Sequence, residues 1–289
     1  MPANHPGREP GAGTAPGKKN RRSRPVREHV YFMDNSGQAD ITRHEEEILQ
    51  NLGSWQRKPL LRQIYADFYR RIAGWLVPGP GGRSVELGSG IGNIREVLPG
   101  CLRTDLFPNP WIDRVESAYG LSFAARSIDN LILFDVFHHL RYPGTALAEL
   151  HRVLVPGGRV LIFEPCLSLL GLLVFGPLHR EPLGLGEEIR FFAPADWSPE
   201  KDSYYASQGN AARIFLGRKY RPLLRKQWTV LARERFAAIS YIASGGYSGP
   251  QLYPDRAFPL MQRLDAFCDR FPRIFATRLL VVLEKKSPH

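Results

Sequence analysis

The feature that most constrains this fold is a glycine-rich loop that follows a short apolar segment. Residues 85–92 read VELGSGIG, with glycines at 88, 90 and 92. Glycines let the backbone turn sharply and let a ligand approach the main chain. A dinucleotide fingerprint would need glycine at Asn93, and no GK[ST] follows as in a phosphate-binding loop. The pattern predicts a turn from a first strand into a helix, either around a different ligand or as a purely structural turn.

Beyond this loop, apolar segments alternate with amphipathic ones. The sequence predicts strands over 84–87, 101–105, 130–134, 159–163 and 277–284, and helices that begin at 93, span 145–154 and span 255–270. Such alternation predicts parallel pairing, right-handed crossovers and an α/β fold with a doubly wound, mostly parallel sheet. Ligands of these sheets lie beyond the carboxyl ends of the strands. Residues 86–92, Asp105, 135–139 and Glu164 are therefore expected at one edge.

The remaining segments divide the chain. Residues 1–30 contain five prolines and four glycines, so we expect a disordered basic tail. Helical periodicity over 40–77, ended by Pro-Gly-Pro-Gly-Gly at 78–82, predicts an N-terminal helical lid over 31–78. Residues 79–289 would form the main domain, with an insertion at about 166–272 before the last strands.

The net charge of +11 is concentrated in two blocks. Residues 1–30 carry seven Lys and Arg against two Asp and Glu, and residues 213–235 carry eight against one, so the rest is nearly neutral. A duplex-binding enzyme would spread basic residues along a groove that includes its catalytic domain. The tail either touches phosphate or lipid headgroups, or is merely solvated.

The spacing of the cysteines and the lengths of the apolar runs constrain the cellular location of the protein. Three cysteines, widely spaced, exclude a disulfide scaffold or a CxxC metal or redox site and fit a reducing compartment. The first thirty residues lack the apolar run of a signal peptide, so a cytoplasmic location is expected. The run CLSLLGLLVFGPL at 166–178 is too short to span a bilayer. It predicts either a buried helix or one that dips into a membrane surface.

Several motifs together resemble a known enzyme family. They are the ELGSGIG loop, an acid that closes the second strand, and the runs SIDNLILFDVFHHL and ELHRVLVPGGRVLIFEP. This combination is similar to class I S-adenosylmethionine (SAM)-dependent methyltransferases, in particular the type 11 subgroup. The resemblance covers roughly residues 31–286 and is strongest over 83–166. GGYSGPQLYP at 245–254 resembles, more weakly, small bacterial methyltransferases of polysaccharide or lipid pathways.

The resemblance implies SAM as the cofactor and assigns its contacts by position. The methionine half would be wrapped by Glu86, Gly88, Ser89, Gly90 and Gly92. The ribose hydroxyls would bind Asp105, and the adenine would lie between Leu106 and Phe107. Ser117 stands where the family usually has the acid that meets the adenine amino group, so Ser117, Ala118 or a backbone carbonyl would replace it. Asp135 and Val136 would line the methionine and substrate side.

Candidate catalytic residues follow from the chemistry that the resemblance implies. Methyl transfer mainly needs alignment, and a hydroxyl acceptor also benefits from a general base. The candidates at the sheet edge are His138, His139 and Glu164, followed by His179 and Glu181. Alternatively, one histidine packs or bonds the backbone, and Glu164 accepts a backbone N–H. No metal is expected.

The acceptor is constrained by what the sequence lacks. DNA amino-methyltransferases carry an Asp/Asn-Pro-Pro-aromatic run after the fourth strand, where this chain has DVFH, and no Pro-Cys nucleophile is present there. Nucleic acid is therefore not the expected acceptor, and a small molecule, sugar or lipid-linked hydroxyl is. Apolar and basic residues at 166–180 and 213–235 suit a peripheral membrane contact, or else a helix and a strand with a solvated basic face. A catalytically inactive SAM-binding regulatory or partner protein and an RNA methyltransferase are the alternatives.

Overall fold

The computed structural model describes residues 35–78, 82–177, 181–201 and 204–287, with side chains from residue 44 onward. The basic tail predicted at 1–30 and the candidate residue His179 lie outside these ranges.

The described residues form a seven-stranded sheet in the order β3-β2-β1-β4-β5-β7-β6. Neighbouring strands from β3 to β5 are parallel, and β7 runs antiparallel to both β5 and β6. The strands are β1 (Ser84–Leu87), β2 (Leu102–Asp105), β3 (Arg114–Val115), β4 (Ile128–Phe134), β5 (Leu154–Pro165), β6 (Trp228–Ala237) and β7 (Ala276–Lys285). This confirms the predicted doubly wound, mostly parallel α/β sheet.

Helices flank the sheet along the chain. They are α1 (Asn35–Arg57), α2 (Pro59–Ala73), α3 (Pro143–Val153), α4 (Leu169–Phe175), α5 (Asn210–Phe215), α6 (Arg221–Gln227), α7 (Ile239–Ala243), α8 (Phe258–Cys268) and α9 (Pro272–Phe275). The predicted helical stretch 40–77 is interrupted at Lys58, because a residue before proline is driven out of the helical region. The segment predicted as a helix from residue 93 is only a short 3-10 turn, Asn93–Glu96, since Pro99 and Gly100 follow closely.

One strand, β3, was not predicted from the sequence, and β6 corresponds to the alternative of a strand with a solvated basic face at 213–235. β3 has only two residues, too few to show a period. β6 lies inside the segment 166–272 that was predicted as an insertion, so that segment contributes a strand to the sheet itself. As an edge strand β6 carries three consecutive charged residues, 233–235, and only its ends are fully buried. Charges of this kind hinder further strand pairing at an edge.

Both faces of the sheet are covered by hydrophobic cores. One core includes Leu131, Leu133 and the α3 residues Leu147 and Leu150. The other core packs α2 against Ile132, Phe134 and Phe163, through the buried stripe Leu60, Leu61, Ile64, Phe68 and Ile72. Because α2 covers this face near the carboxyl ends of β4 and β5, α1 and α2 lie over the edge where the site is expected.

Helix α4 is the apolar run that was predicted as either buried or membrane-dipping. Ser168 caps it by accepting a hydrogen bond from the Gly171 N–H at 3.0 Å. Gly171 and Phe175 are buried, whereas Leu169 is 66% exposed and Leu173 is 60% exposed. The helix is thus half-buried. Within the described residues, no helix is both long and apolar enough to cross a membrane.

Lys58, between α1 and α2, anchors the loop that follows α7. Its Nζ donates to the carbonyl oxygens of Gly246 at 2.7 Å, Gly249 at 2.6 Å and Ser244 at 3.4 Å. This places the ring of Tyr247 against two others, with its centroid 6.5 Å from that of Trp55 and 5.4 Å from that of Tyr65. One ammonium therefore ties the helical cover to the GGYSG segment.

We expect Lys58→Met to lower the free energy of unfolding by about 1–3 kcal/mol, because three carbonyls lose a charged donor. Urea unfolding measures this as a lower midpoint. The matched control is Arg57→Met, since Arg57 is exposed in the last turn of α1. Equal midpoints for the two variants would show that the anchor contributes nothing.

Candidate active site

The glycine-rich loop after β1 adopts a backbone that requires glycine. Gly88, Gly90 and Gly92 have φ angles of +70°, +52° and +69°. A Cβ on Gly88 would lie 2.3 Å from Cγ2 of Val136, and one on Gly92 would lie 2.8 Å from the carbonyl oxygen of Trp111. Glycine at 88 lets the loop after β1 touch the residue after β4. Ser89 lies between them, buried, with its N–H bonded to the Thr104 carbonyl at 2.8 Å.

Asp105 closes β2 beside this loop. Its Oδ2 accepts the Gly90 N–H at 2.8 Å, and its Oδ1 accepts the Leu106 N–H at 2.7 Å. A carboxylate oxygen can accept two hydrogen bonds, so each oxygen can still take a hydroxyl donor. Burial raises the pKa of Asp105, although the nearby His44 opposes that shift. The carboxylate is thus fixed by two backbone groups and suited to a pair of ribose hydroxyls.

His44 of α1 is a site residue that the sequence analysis missed. Its Nε2 lies 3.6 Å from Oδ1 of Asp105, and its ring packs against Phe107 with centroids 5.1 Å apart. Ile48 lies one turn later in α1, and its Cδ1 would be 3.6 Å from a Cβ on Gly90. Helix α1 therefore lies directly over the loop and the acid. A lone histidine on a polar helix carries no sequence signal for this contact.

Glu86 is buried within β1. Its Oε1 accepts the Tyr69 hydroxyl at 2.8 Å, whereas its Oε2 has no hydrogen-bond partner. Burial raises the pKa of Glu86 to about 7, against smaller opposing hydrogen bonds from Ser89 and Tyr69. A buried carboxylate with one unpaired oxygen can accept a hydrogen bond from a cationic amine.

The residues predicted around the adenine lie beyond Asp105. Leu106 is 53% exposed, so its side chain is available to a planar ring. The Ser117 hydroxyl accepts the Tyr119 N–H at 3.3 Å and so stabilises the turn in which it lies. Ala118 packs against the core beneath. Glu116, the buried acid next to Ser117, accepts the Ser122 N–H at 2.8 Å. The turn is thus held together internally.

Beyond β4, His138 and Glu164 form a buried pair. Nδ1 of His138 lies 2.6 Å from Oε2 of Glu164, while Oε1 of Glu164 accepts the Phe137 N–H at 2.6 Å. His138 is 3% exposed and Glu164 is completely buried. Both Glu164 oxygens are thus engaged, and this carboxylate orients His138. Glu164 also accepts a backbone N–H, which was the alternative given for it in the sequence analysis.

Glu181 joins the two histidines from the other side. Its carboxylate lies 3.3 Å from Nε2 of His138 and 3.6 Å from Nε2 of His139. Burial alone would lower the pKa of His138, but the carboxylates of Glu164 and Glu181 outweigh it and raise this pKa to about 10. Burial and the charge of His138 lower the pKa of His139 to about 4. Despite the burial of Glu181, hydrogen bonding from His138 holds the pKa of this carboxyl well below its ordinary range.

Asp135 lies in an aromatic pocket with a residue that the sequence did not indicate. It has a φ of +54°, and its Oδ1 accepts Nη1 of Arg278 at 2.5 Å. The Arg278 guanidinium is 4.7 Å from the Tyr241 ring centroid and 5.8 Å from that of Phe68. Arg278 is 2% exposed and its Nε has no partner. Nothing in the run TRLLVVLE distinguishes this arginine from a solvated one.

We expect Glu86→Gln to stabilise the protein at high pH. The pKa of about 7 in the folded protein lies above the ordinary value of 4.5 for glutamate. The unfolded chain thus releases the proton first, and wild-type stability falls between pH 4.5 and 7. Glutamine has no proton to release, so the variant should gain up to about 3 kcal/mol above pH 7 and nothing near pH 4. Urea unfolding at pH 5 and 8.5 measures this; a pH-independent difference would contradict it.

Comparisons with known proteins agree with this geometry. A family described as a methyltransferase domain matches residues 85–162, which run from β1 into β5. No curated protein sequence matches the chain significantly.

Solved methyltransferase structures are also similar at low identity. A SAM-dependent methyltransferase from Thermotoga maritima is 15% identical, covers 83% of this chain and 99% of its own, and has a TM-score of 0.48. The 1,6-didemethyltoxoflavin-N1-methyltransferase of Burkholderia thailandensis, solved with S-adenosylhomocysteine, is 15% identical. The match covers 88% of this chain and 92% of that one, with a TM-score of 0.42. Residues 85–162, which include the glycine-rich loop, Asp105 and the two adjacent histidines, are thus similar in sequence to a methyltransferase domain.

Proposed function

We propose that the enzyme binds SAM at the β1–β2 edge and methylates a hydroxyl of a small-molecule, sugar or lipid-linked acceptor. The observation that carries this proposal is the proximity of two groups. The loop after β1 and Asp105 form a cradle, and Gly88 touches Val136, which lies two residues before His138. The cradle for the cofactor and the cluster of polar side chains around His138 are therefore neighbours.

The residues present fit SAM. Gly90 leaves the backbone open to a ligand, because a Cβ there would meet only Ile48, at 3.6 Å, whereas Gly88 and Gly92 let the loop pack closely on Val136 and Trp111. Asp105 retains one acceptor site on each oxygen for the ribose, and Glu86 has an unpaired buried oxygen for the methionine ammonium. When bound, SAM supplies a methyl group on a positively charged sulfur. The protein's part is to align the acceptor oxygen with it and to take up a hydroxyl proton.

The histidine pair divides these tasks by exposure. His138 and Glu164 are buried, and Glu164 fixes the ring of His138. The His139 side chain is 34% exposed and that of Glu181 is 17% exposed, so these two can meet an acceptor. We assign proton uptake from the hydroxyl to the partly exposed pair His139 and Glu181, whereas His138, with its pKa raised to about 10, is already protonated and holds Glu181 in place. Glu164 is assigned a positioning role.

We expect Asp105→Ala and Gly90→Asp to abolish SAM binding while leaving the fold intact. The first removes the ribose acceptor; the second places a carboxylate in the cradle, at a left-handed φ that aspartate tolerates better than most residues. Titration calorimetry with SAM measures the loss. Asp196→Ala, at an exposed position, is the matched control. Unchanged affinity in both site variants would refute the cofactor assignment.

A lipid-linked acceptor is supported by helix α4. Leu169 and Leu173 are exposed large apolar residues, and the basic residues Arg218, Lys219, Arg225 and Lys226 are exposed in the following segments. The register places α4 after Pro165 at one end of β5 and α6 before Trp228 at the other end, so the exposed leucines of α4 alone support the membrane contact.

We expect the wild-type chain to float with vesicles that contain anionic lipid, and the double variant Leu169→Asp/Leu173→Asp to lose most of this binding. Leu252→Asp is the matched control, because Leu252 is 72% exposed in a different loop. Binding to neither anionic nor neutral vesicles would exclude the membrane contact. Methyl transfer to none of the sugar, lipid and RNA acceptors, despite SAM binding, would favour the inactive SAM-binding alternative.

A further inference from the structure

Three metal-ligating side chains converge beyond β4 and β5. His138, His139 and Glu181 each place one ligand atom within 4.8 Å of the others. The shortest approaches are 3.3 Å from Nε2 of His138 and 3.6 Å from Nε2 of His139, both to the Glu181 carboxylate. Ligands about 2.0–2.1 Å from a tetrahedral ion are separated by about 3.3–3.4 Å. The distance from His138 to Oε2 of Glu181 matches that spacing, and the distance from His139 to Oε1 is slightly longer.

The opposite nitrogen of each ring is already bonded. Nδ1 of His138 faces Oε2 of Glu164 at 2.6 Å, and Nδ1 of His139 faces the Tyr205 carbonyl oxygen at 2.9 Å. A carbonyl oxygen only accepts, so the His139 proton is on Nδ1 and its Nε2 presents a lone pair. Metal-bound histidines usually donate their other N–H to a carboxylate or a backbone carbonyl. Both rings have such a partner, one of each kind.

The third ligand is also held in place. The Tyr204 hydroxyl donates to Oε1 of Glu181 at 2.9 Å, and the Gln208 amide donates to Oε2. Gln208 is 2% exposed, yet its Oε1 has no hydrogen-bond partner. Both oxygens of the Glu181 carboxylate are oriented by hydrogen bonds from neighbouring side chains, as partners of this kind orient a metal ligand.

We propose that His138, His139 and Glu181 bind one divalent transition-metal ion, most suitably Zn²⁺, with at least one coordination position open. Two imidazoles and one carboxylate form a donor set of catalytic zinc sites, where an oxygen ligand takes the remaining position. This replaces the sequence-based expectation that no metal is involved, which rested on cysteine spacing. An acceptor oxygen at the open position would be the hydroxyl to be methylated; that consequence rests on the proposed function, whereas the site itself does not.

The experiment uses the full chain, purified without a polyhistidine tag and stripped with a chelator. Co²⁺ is the spectroscopic probe and Zn²⁺ the competitor. We expect one equivalent of Co²⁺, with visible bands of a four- or five-coordinate ion that Zn²⁺ abolishes. His139→Ala and Glu181→Gln should each lower affinity at least 100-fold. Glu164→Gln should lower it about 10–100-fold, as loss of an orienting partner does.

The controls separate this site from adventitious binding and from the methylation proposal. His151→Ala, a histidine packed on Trp228, should bind Co²⁺ as the wild type does. The proposal is overturned if the wild type takes up no stoichiometric metal, or if His139→Ala and Glu181→Gln both retain it. SAM affinity is measured on the same samples without metal. If the wild type binds SAM but no metal, only the metal site is refuted. If it binds metal but no SAM, only the cofactor assignment is refuted.

Discussion

The burial of carboxylates at one edge of the sheet is the constraint on which the rest of the structure depends. Glu86, Asp105, Asp135 and Glu164 all lie at or just beyond the carboxyl ends of strands, and three of them are almost fully buried. Burying a carboxylate is costly unless it is bonded or paired. Each has a distinct partner: the Tyr69 hydroxyl, the Gly90 N–H, Arg278 and His138. The loop geometry, the aromatic pocket and the histidine cluster are thus also ways of stabilising these charges.

These partners explain why the helical cover lies where it does. Tyr69 of α2 reaches Glu86, and His44 of α1 reaches Asp105, so both helices contact the acidic edge as well as the apolar face. Asn93 extends the connection, since its amide donates to the Tyr247 hydroxyl at 2.6 Å. Lys58 then holds the same loop from the α1–α2 junction. The cover, the GGYSG loop and the turn after β1 therefore form one hydrogen-bonded unit around the site.

The sequence was sufficient for the parts of this arrangement that depend on local pattern. The loop 85–92 and the acid at 105 mark the carboxyl ends of β1 and β2, and parallel pairing brings them to one edge. It was insufficient where partners are distant in the chain. Arg278 meets Asp135 across 143 positions, and His44 meets Asp105 from a helix whose polar residues show no special spacing. For β6 the sequence left a strand and a membrane contact open, because three consecutive charged residues, 233–235, are also typical of a surface segment.

The adjacent histidines show how environment separates two identical residues. His138 turns inward between two carboxylates, whereas His139 bonds a backbone carbonyl and keeps a third of its side chain exposed. The sequence could name both but could not rank them, because their difference comes from Glu164 on β5 and from Glu181 and Tyr205 in the following segment. Both Nε2 atoms nevertheless point at the same carboxylate. The two rings, held by different partners, thus face the two oxygens of one carboxylate. A proton or a metal ion bound between them determines what this group does.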